Sequence, residues 1–356
     1  MPLSALDPNF RAPALGHEAR WHDAASVARL TGRGWEDAAP YARLPDRARA
    51  LVRDEVWQLS RHAAGLALEI TTDSPLLAVR WRVTGAEVAM DHMPATGVSG
   101  IDCYERDARG WRWRATARNP TSPWSQALLF AADEGRPRAL RVHLPLYNGV
   151  EAVELGVAPG ASIGPTPPDG GRPICFYGTS ITQGGCASRP GMAYPAILSR
   201  RLGRPAINLG FSGNGRMEPE IATLLAELDP VAFVLDALPN VEEPLVTERL
   251  EPLVRMLRAA RPATPIVLVG NVAYGDSELV AAKARRCADS NAAMARACAR
   301  LAAAGIGGLT VVPGERLLAG DGEDTVDGVH PTDLGFARIA DALEAPLRQA
   351  LRDISG

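Results

Sequence analysis

The chain has 356 residues, of which 46% are hydrophobic and 22% charged, and its formal net charge is −3 at pH 7. This length favours two domains, and the composition is that of an ordinary globular protein, which excludes a disordered chain, a collagen-like repeat and a disulfide-stapled miniprotein. The weak negative charge argues against a general binder of nucleic acid or anionic membranes, and no apolar run reaches the roughly 18 residues of a membrane span.

The two halves of the chain differ in composition. All seven tryptophans lie in the first half together with five of the six histidines, whereas His330 is the single histidine of the second half. Two halves built so differently predict two different folds.

The cysteines and the N-terminus bear on the cellular compartment. The five cysteines are odd in number and form no C-x-x-C pair, which argues against a disulfide framework or a zinc cluster and favours reduced thiols. The first 20 residues lack the basic start, the apolar run and the A-x-A cleavage site of an export signal. We therefore expect a cytoplasmic protein.

The first half contains short segments in which apolar and polar residues alternate. Such patterns, separated by Gly, Pro, Asp and Asn, predict half-buried antiparallel strands packed as a β-sandwich or jelly roll. Trp81, Trp111 and Trp113 alternate with arginines, which favours the core face for their rings, with sugar stacking as the alternative. A short helix is expected around residues 24–30. The alternating apolar residues are Leu66, Leu68, Ile70, Leu77, Val79, Trp81, Val83, Trp111, Trp113, Leu140, Val142, Leu144, Val153, Leu155 and Val157.

A segment rich in Pro and Gly, residues 163–172, is predicted to link an N-terminal β-sandwich domain (1–162) to a C-terminal domain (173–356). In the C-terminal part, short apolar runs alternate with helical stretches. Strands without polar alternation are typical of parallel sheets covered on both faces, so the pattern predicts a three-layer, doubly wound α/β fold with a five-stranded parallel sheet. The predicted strands are 174–177, 206–209, 231–235, 266–269 and 309–312, and the predicted helices are 191–202, 217–228, 244–260, 278–304 and 333–352.

In such sheets the functional site lies at the carboxyl ends of the strands. The first predicted strand runs into Gly178-Thr179-Ser180, which places a serine where it can act as a nucleophile, although such a tripeptide is more often a plain turn. Thr182 breaks the G-x-S-x-G pattern, so the nucleophile elbow of α/β-hydrolases is disfavoured. The glycine-rich turn after the second strand, which includes Gly213, lacks the dinucleotide fingerprint and indicates either a tight turn or a backbone N–H that faces an oxyanion.

Two further loops carry polar side chains suited to catalysis. Pro239 cannot continue a central strand, so the chain leaves the third strand there and presents Asn240 at the rim, either as an oxyanion donor or in an ordinary turn. Before the last helix, Asp327 and His330 are three residues apart, which lets the carboxylate accept a hydrogen bond from the imidazole Nδ1. The acidic residues around them do not have the spacing of a calcium loop, so a solvated acidic loop is the better interpretation.

The serine, the glycine turn, the asparagine and the Asp-x-x-His pair, in this order and at these strand ends, resemble the SGNH (GDSL-type) esterase family. The resemblance implies a flavodoxin-like hydrolase sheet in which Ser180 is the nucleophile, His330 the general base and Asp327 the group that orients and stabilises the imidazolium. It also implies an oxyanion hole made of the Ser180 N–H, the Gly213 N–H and the Asn240 side chain. Such chemistry requires no metal ion and no organic cofactor.

The sequence departs from the family pattern at two places. Thr179 stands where the GDSL pattern has Asp, and a Leu-Pro-Asn sequence stands for the usual Gly-x-Asn-Asp. The second form, together with residues 93–104, resembles a bacterial subgroup that carries an N-terminal β-sandwich with a Gly-x-Asp-Leu-Tyr-like motif, in which Cys103 replaces Leu.

The subgroup implies carbohydrate esters with short acyl groups such as acetyl, and therefore a small-molecule or oligosaccharide substrate. Asp91, His92 and Met93 lie in the segment most suited to face the hydrolase half. We expect these three residues to shape the rim of the pocket and to contact the substrate.

Other functions fit the same residues. An acyltransferase or a thioesterase uses the same acyl-enzyme, and the sequence does not separate these from an esterase. A carbohydrate-binding protein with an inactive hydrolase half is a second alternative, against which the complete set of Ser180, Asp327 and His330 argues. A nucleotide-binding protein is disfavoured because the glycine fingerprint and the acidic ribose partner are both missing. No oligomeric state follows from the sequence.

Overall fold

A computed structural model describes residues 1, 3–7, 16, 18–168 and 171–353 of the chain. These residues contain two antiparallel sheets, which pack face to face in the N-terminal part, and one parallel sheet in the C-terminal part. The arrangement confirms the predicted fold class, an α/β unit preceded by an antiparallel β-sandwich.

The N-terminal strands are β1 (Arg20–Asp23), β2 (Arg29–Thr31), β3 (Ala67–Thr72), β4 (Leu76–Val83), β5 (Asp102–Asp107), β6 (Gly110–Thr116), β7 (Trp124–Ala131), β8 (Arg138–His143), β9 (Val150–Val157) and β10 (Ile163–Pro165). One sheet has the order β1-β9-β4-β7, and the other has the order β10-β3-β8-β5-β6 with β2 paired to β3. Strand β10 lies inside the predicted linker, so residues 163–165 continue the second sheet instead of leaving it.

The parallel strands are β11 (Ile174–Gly178), β12 (Ala206–Gly210), β13 (Ala232–Asp236), β14 (Ile266–Val269) and β15 (Leu309–Val312). Each agrees with its predicted strand to within one residue at either end, because an unbroken apolar run is a clear signal for a strand buried on both faces. Their order is β12-β11-β13-β14-β15, so the strand order reverses at β11. Ligands bind at such switch points in open α/β sheets, outside the carboxyl ends of the strands.

The helices are α1 (Leu3–Leu6), α2 (Ala24–Val27), α3 (Asp54–Ser60), α4 (Ala95–Val98), α5 (Ser180–Gln183), α6 (Tyr194–Leu202), α7 (Pro219–Glu227), α8 (Glu243–Ala260), α9 (Ala281–Ala303) and α10 (Asp333–Asp353). The helix predicted over 191–202 begins only at Tyr194, because residues 190–192 form a 3₁₀ turn. Within the described ranges, no helix combines the length and the apolar character needed to cross a bilayer.

Strands β3, β5 and β8 of the second antiparallel sheet are largely buried on both faces. Their apolar face packs against the four-stranded sheet, but Glu69, Arg141 and His143 on their polar face are also almost entirely buried. Glu69 accepts hydrogen bonds from Arg29 and Arg141, so these buried charges are paired. The prediction of half-buried strands is therefore wrong for these three strands. The cover comes from a distant part of the chain, since Arg141 also bonds Ser199 of α6.

The three tryptophans predicted for the core face have different surroundings. Trp81 is fully buried between the antiparallel sheets, as predicted. Trp113 is 49% exposed and Trp111 is only half-buried, so the prediction is wrong for both. Strand β6 is an edge strand, and these two rings lie near guanidinium groups, Trp113 next to Arg189 and Trp111 next to Arg141.

Residues 35–56 of the N-terminal half pack against the parallel sheet. Trp35 belongs to the apolar cluster that covers one face of that sheet. The guanidinium of Arg43 is buried and donates hydrogen bonds to the carbonyls of Asn208 and Gly210, at 3.2 and 2.5 Å, where β12 ends. The N-terminal half thus completes the core of the α/β unit, and the position of the boundary between two domains stays a prediction.

Candidate active site

The turn that follows β11 is tightly packed. Gly178 leaves no room for a side chain, since a Cβ there would lie 2.3 Å from the carbonyl oxygen of Asp236. Helix α5 begins at Ser180, and the Thr179 side chain accepts a hydrogen bond from the Ile181 N–H at 3.3 Å as the N-cap. Asp and Thr both cap helix N-termini through a side-chain oxygen. Thr179 therefore keeps the capping contact available to the aspartate of the GDSL pattern.

Ser180, His330 and Asp327 form one hydrogen-bonded line. His330 Nε2 lies 2.9 Å from Ser180 Oγ, and His330 Nδ1 lies 2.6 Å from Asp327 Oδ2. Ser180 is 6% exposed, whereas the side chains of His330 and Asp327 are 23% and 35% exposed, so the line runs from an almost buried hydroxyl to a carboxylate near solvent. The structure thus brings together the three residues predicted to be catalytic.

The Asp327 carboxylate is held in its ionised form. Partial burial raises its pKa, but hydrogen bonds from the His330 backbone and ring and from the Val329 N–H outweigh this effect and lower the pKa to about 2. Asp327 Oδ1 accepts the N–H groups of Val329 and His330 at 3.0 and 2.8 Å. An ionised Asp327 favours the His330 tautomer with its proton on Nδ1, which leaves Nε2 as an acceptor toward Ser180.

The groups predicted to form the oxyanion hole lie on turns that contact each other. Gly213 has a φ of +65°, a conformation that favours glycine. Among the residues that the structure describes, neither the Ser180 N–H nor the Gly213 N–H donates to another protein group. Asn240 Nδ2 donates to the carbonyl of Asn214 at 2.7 Å, which ties the end of the third strand to the glycine turn. An amide carries two N–H donors, so one bond leaves Asn240 a second.

Gln183 joins the nucleophile helix to two other parts of the chain, although it was not among the residues predicted from the sequence. Its Oε1 accepts the Ser212 N–H at 3.0 Å, and its Nε2 donates to the Leu146 carbonyl at 3.1 Å. Nε2 also lies 3.2 Å from Nδ1 of His62, whose pKa is lowered to about 4 by burial and by Arg43. The signal available in the sequence was a polar residue three positions after the serine.

Asp236 lies beneath the nucleophile turn, at the end of β13. Its carboxylate is buried and accepts hydrogen bonds from Thr182 Oγ1 at 2.9 Å and from the Tyr194 hydroxyl at 3.0 Å. Burial raises the pKa of Asp236 to about 7, against the lowering effect of these two bonds. Through Thr182 this carboxyl group fixes α5, and with it Ser180, to the neighbouring strand.

A turn from the N-terminal half lies beside the triad. Met90 and Met93 close it with two backbone hydrogen bonds at 3.0 and 3.1 Å, and Asp91 and His92 are exposed at its tip. The centroid of the His92 ring lies 5.6 Å from that of His330. Met93 is 2% exposed and packs in an apolar cluster of the α/β unit. The Met93 side chain is therefore core, which corrects its predicted place on the pocket rim.

The Gly-x-Asp-x-Tyr motif holds the loop that follows the nucleophile helix, residues 184–193. Asp102 is fully buried, and Arg189 of this loop donates to Asp102 Oδ2 and to the Tyr104 hydroxyl, each at 2.6 Å. The Gly191 N–H donates to Asp102 Oδ1 at 3.1 Å. The motif of the N-terminal half thus supports a loop of the site, a role that its position in the sequence did not reveal.

Comparison with known proteins gives matches to both halves of the chain. The GDSL-like lipase/acylhydrolase family matches residues 171–348, and the GxDLY family, described as the N-terminus of SGNH-type esterases, matches residues 19–163. A solved structure from Bacteroides ovatus ATCC 8483, described as a GDSL-like lipase, is 30% identical with a TM-score of 0.90, over 94% of this chain and 98% of that chain. No curated protein matches the chain.

Two more distant solved structures share the fold. The salicylyl-acyltransferase SsfX3 from a tetracycline biosynthetic pathway has a TM-score of 0.77 at 20% identity, over 93% of this chain and 97% of that chain. A family two carbohydrate esterase from Cellvibrio japonicus has a TM-score of 0.60 at 14% identity, over 95% of this chain and 99% of that chain. Likeness at these identities shows the fold alone, because one fold supports several activities.

Proposed function

The chain belongs to the GDSL-like lipase/acylhydrolase family, and on this premise we propose that it is a serine esterase that hydrolyses short acyl esters, with acetyl esters of carbohydrates as the substrate class. The observation that carries the proposal is the pair of contacts made by His330, 2.9 Å from Nε2 to Ser180 Oγ and 2.6 Å from Nδ1 to Asp327 Oδ2. Proton transfer from a serine requires a hydroxyl hydrogen-bonded to one ring nitrogen and a carboxylate hydrogen-bonded to the other.

In the first step Ser180 Oγ attacks the carbonyl carbon of the ester while His330 Nε2 takes the hydroxyl proton. The ionised Asp327 stabilises the imidazolium that forms. Negative charge moves to the carbonyl oxygen, and the free N–H groups of Ser180 and Gly213, with the second amide N–H of Asn240, are the donors proposed to stabilise it.

In the second step the C–O bond to the alcohol breaks, and the His330 imidazolium gives its proton to the leaving alcohol. The product is an acyl-Ser180 ester. Water then loses a proton to His330 and attacks the acyl carbon, and the returning proton releases Ser180 and a carboxylic acid. Every proton in this cycle passes through His330 Nε2.

The surroundings of the triad support a polar alcohol as the leaving group. A Cβ on Gly185 would lie 2.9 Å from the Tyr147 hydroxyl and 3.1 Å from His330 Cδ2, so the glycine lets the loop after α5 pack closely against the His330 ring. The exposed side chains of Asp91 and His92 beside the triad offer hydrogen bonds to sugar hydroxyls. The carbohydrate esterase from Cellvibrio japonicus, which shares the fold along its length, agrees with this substrate class.

An acyltransferase is the second candidate. It is favoured by the fold shared with the salicylyl-acyltransferase over nearly the whole of both chains. The two activities differ in the last step only, because an acceptor alcohol replaces water in the attack on the acyl-enzyme. Their test is therefore the fate of the acyl group when an acceptor is added.

The experiment is a substrate panel assayed with the full chain. It contains p-nitrophenyl acetate, longer p-nitrophenyl esters, acetylated xylo-oligosaccharides and an acyl thioester, each with and without an added acceptor alcohol. We expect release of acetate from the acetylated sugars and loss of this release in Ser180→Ala. Ser290→Ala, which removes a buried hydroxyl on α9, serves as the control and is expected to keep the wild-type rate.

Each outcome of the panel decides between the candidates. Acyl transfer to the added alcohol that exceeds hydrolysis would favour the acyltransferase. Absence of turnover on every ester, or equal turnover in Ser180→Ala, would overturn the proposed chemistry.

A further inference from the structure

Four side chains of metal-binding type meet beside the proposed triad. They are His92, Cys186, Asp327 and His330, and one ligand atom from each lies within 4.8 Å of the ligand atoms of the other three. They come from three segments: the turn at Met90–Met93, the loop after α5 and the loop before α10. A search for closely spaced cysteines and histidines in the sequence cannot find such a group, because the fold alone brings its members together.

The donor set selects a class of metal ion. Two imidazoles, one sulfur and one carboxylate are a typical tetrahedral ligand set for Zn²⁺, whereas Mg²⁺ and Ca²⁺ prefer ligands that are all oxygen. Bonds of about 2.0–2.3 Å place the ligand atoms of a tetrahedral zinc ion roughly 3.5 Å apart. Ligand atoms up to 4.8 Å apart must therefore approach each other by about 1 Å, and the exposed side chain of His92 can contribute to this movement.

The thiol of Cys186 is buried beside the Asp327 carboxylate. Cys186 is 5% exposed, and burial, followed by the charge of Asp327, raises the pKa of its thiol to about 12. A thiol with so high a pKa is a poor nucleophile at neutral pH. A bound soft cation displaces the thiol proton and compensates the charge of the thiolate beside Asp327.

We propose that His92, Cys186, Asp327 and His330 bind a soft divalent cation such as Zn²⁺ reversibly, and that the bound ion inhibits the enzyme. A ring nitrogen of His330 that binds the cation, or an Asp327 oxygen withdrawn from the ring, leaves His330 unable to take the proton of Ser180. The inhibition rests on the proposed esterase function, whereas the metal site does not.

Metal binding is tested directly on the full chain after treatment with a chelator. Titration with Co²⁺ is expected to give a thiolate-to-cobalt charge-transfer band, and Zn²⁺ affinity is measured by competition with a chromophoric chelator. Cys186→Ser should lose the band and weaken Zn²⁺ binding by at least about 10-fold, and His92→Ala should weaken binding similarly while the band remains. Ser180→Ala, which keeps all four ligands, should bind as the wild type does.

Cys298→Ser is the matched control, because Cys298 is a free, half-buried thiol on α9 that is not among the four ligands. It should keep both the band and the affinity. A wild-type protein without the band, or a Cys186→Ser variant that binds Zn²⁺ as tightly as the wild type, would overturn the site.

Inhibition is tested with p-nitrophenyl acetate, with each variant compared with its own metal-free rate. We expect Zn²⁺ to inhibit the wild type, a chelator to restore the rate, and the half-inhibiting concentration to rise at least about 10-fold in Cys186→Ser. A protein that binds Zn²⁺ through Cys186 and hydrolyses no ester would refute the proposed function and keep the site. A protein that binds Zn²⁺ through Cys186 and hydrolyses the ester at an unchanged rate would refute the inhibition.

Discussion

Ser180 Oγ and His330 Nε2 lie 2.9 Å apart although 150 positions separate the two residues in the chain. The contact joins the first residue of α5, just after β11, to the loop that precedes α10. Parallel strands present their carboxyl ends at the same edge of a sheet, so residues far apart in sequence can meet there. The proposed chemistry depends on this contact more than on any other.

Removal of either partner of this contact should abolish most of the activity. We expect Ser180→Ala and His330→Ala each to lower the turnover of p-nitrophenyl acetate by roughly 10³-fold or more, because nucleophile and base act as one unit. The measurement is kcat for each purified variant, with thermal unfolding to show that the fold is kept. Near-normal turnover in a folded variant of either kind would remove the triad assignment.

Asn240 is expected to act on the transition state. Asn240→Ala should lower kcat by about 10²–10³-fold with little change in KM, because an oxyanion donor binds the tetrahedral intermediate more tightly than the substrate. The free energy of unfolding is measured in parallel, since the variant also loses the 2.7 Å bond to the Asn214 carbonyl. A kcat close to that of the wild type would assign the third donor to another group.

The bond between Arg189 and Asp102 should matter for stability. Arg189→Met leaves the fully buried Asp102 carboxylate without its charged partner, which costs roughly 3–5 kcal/mol in comparable cases. The double variant Arg189→Met, Asp102→Asn should be less destabilised than the sum of the two single variants, because each substitution removes the partner of the other. Urea unfolding of the wild type, both single variants and the double variant measures the difference. Additive effects of the two substitutions would show that the two side chains do not interact.

Asp236 should make stability depend on pH. Its pKa is raised from 3.8 to about 7 in the folded protein, which corresponds to roughly 4 kcal/mol. Between these two values the unfolded chain has released the proton and the folded protein still holds it, so stability falls as pH rises from about 4 to 7. In Asp236→Asn this dependence should disappear. Urea unfolding of both proteins at several pH values tests this. If the difference between their free energies of unfolding does not change with pH, the prediction is contradicted.

His62 also titrates in this pH range, so the free energy of unfolding of the wild type has to be compared with that of Asp236→Asn at each pH. Its pKa is lowered in the folded protein from 6.5 to about 4, so its contribution is complete above pH 6.5 and is lost as pH falls toward 4. The effects of His62 and Asp236 therefore oppose each other over nearly the same range. The wild-type curve alone can look flat while both groups titrate.

The sequence was sufficient for the parts that depend on local pattern. The five parallel strands carry unbroken apolar runs, and the residues that follow them, Ser180 and Asn240 among them, had to lie at one edge of the sheet. The Asp327-x-x-His330 spacing also predicted a contact that the fold contains. Each of these features can be found within a window of a few residues.

The features that sequence missed depend on contacts between distant segments. Arg141 and His143 alternate with apolar residues as solvent-facing residues do, but helix α6 and its neighbours cover them. Cys186 and His92 carry no spacing signal, and only the approach of two loops and a turn brings them to His330. Single-sequence patterns contain no information on which distant surface covers a sheet face, so these relationships became visible only in the structure.

The burial of Arg43 against the end of β12 restricts how this protein can be recombined with its relatives. A chimaera that joins a foreign N-terminal module at residue 173 would leave the carbonyls of Asn208 and Gly210 without this donor, next to the turn that carries Gly213. The parallel sheet and its helices alone are therefore not a unit that can be exchanged between proteins. A graft has to carry residues 35–56 together with that sheet.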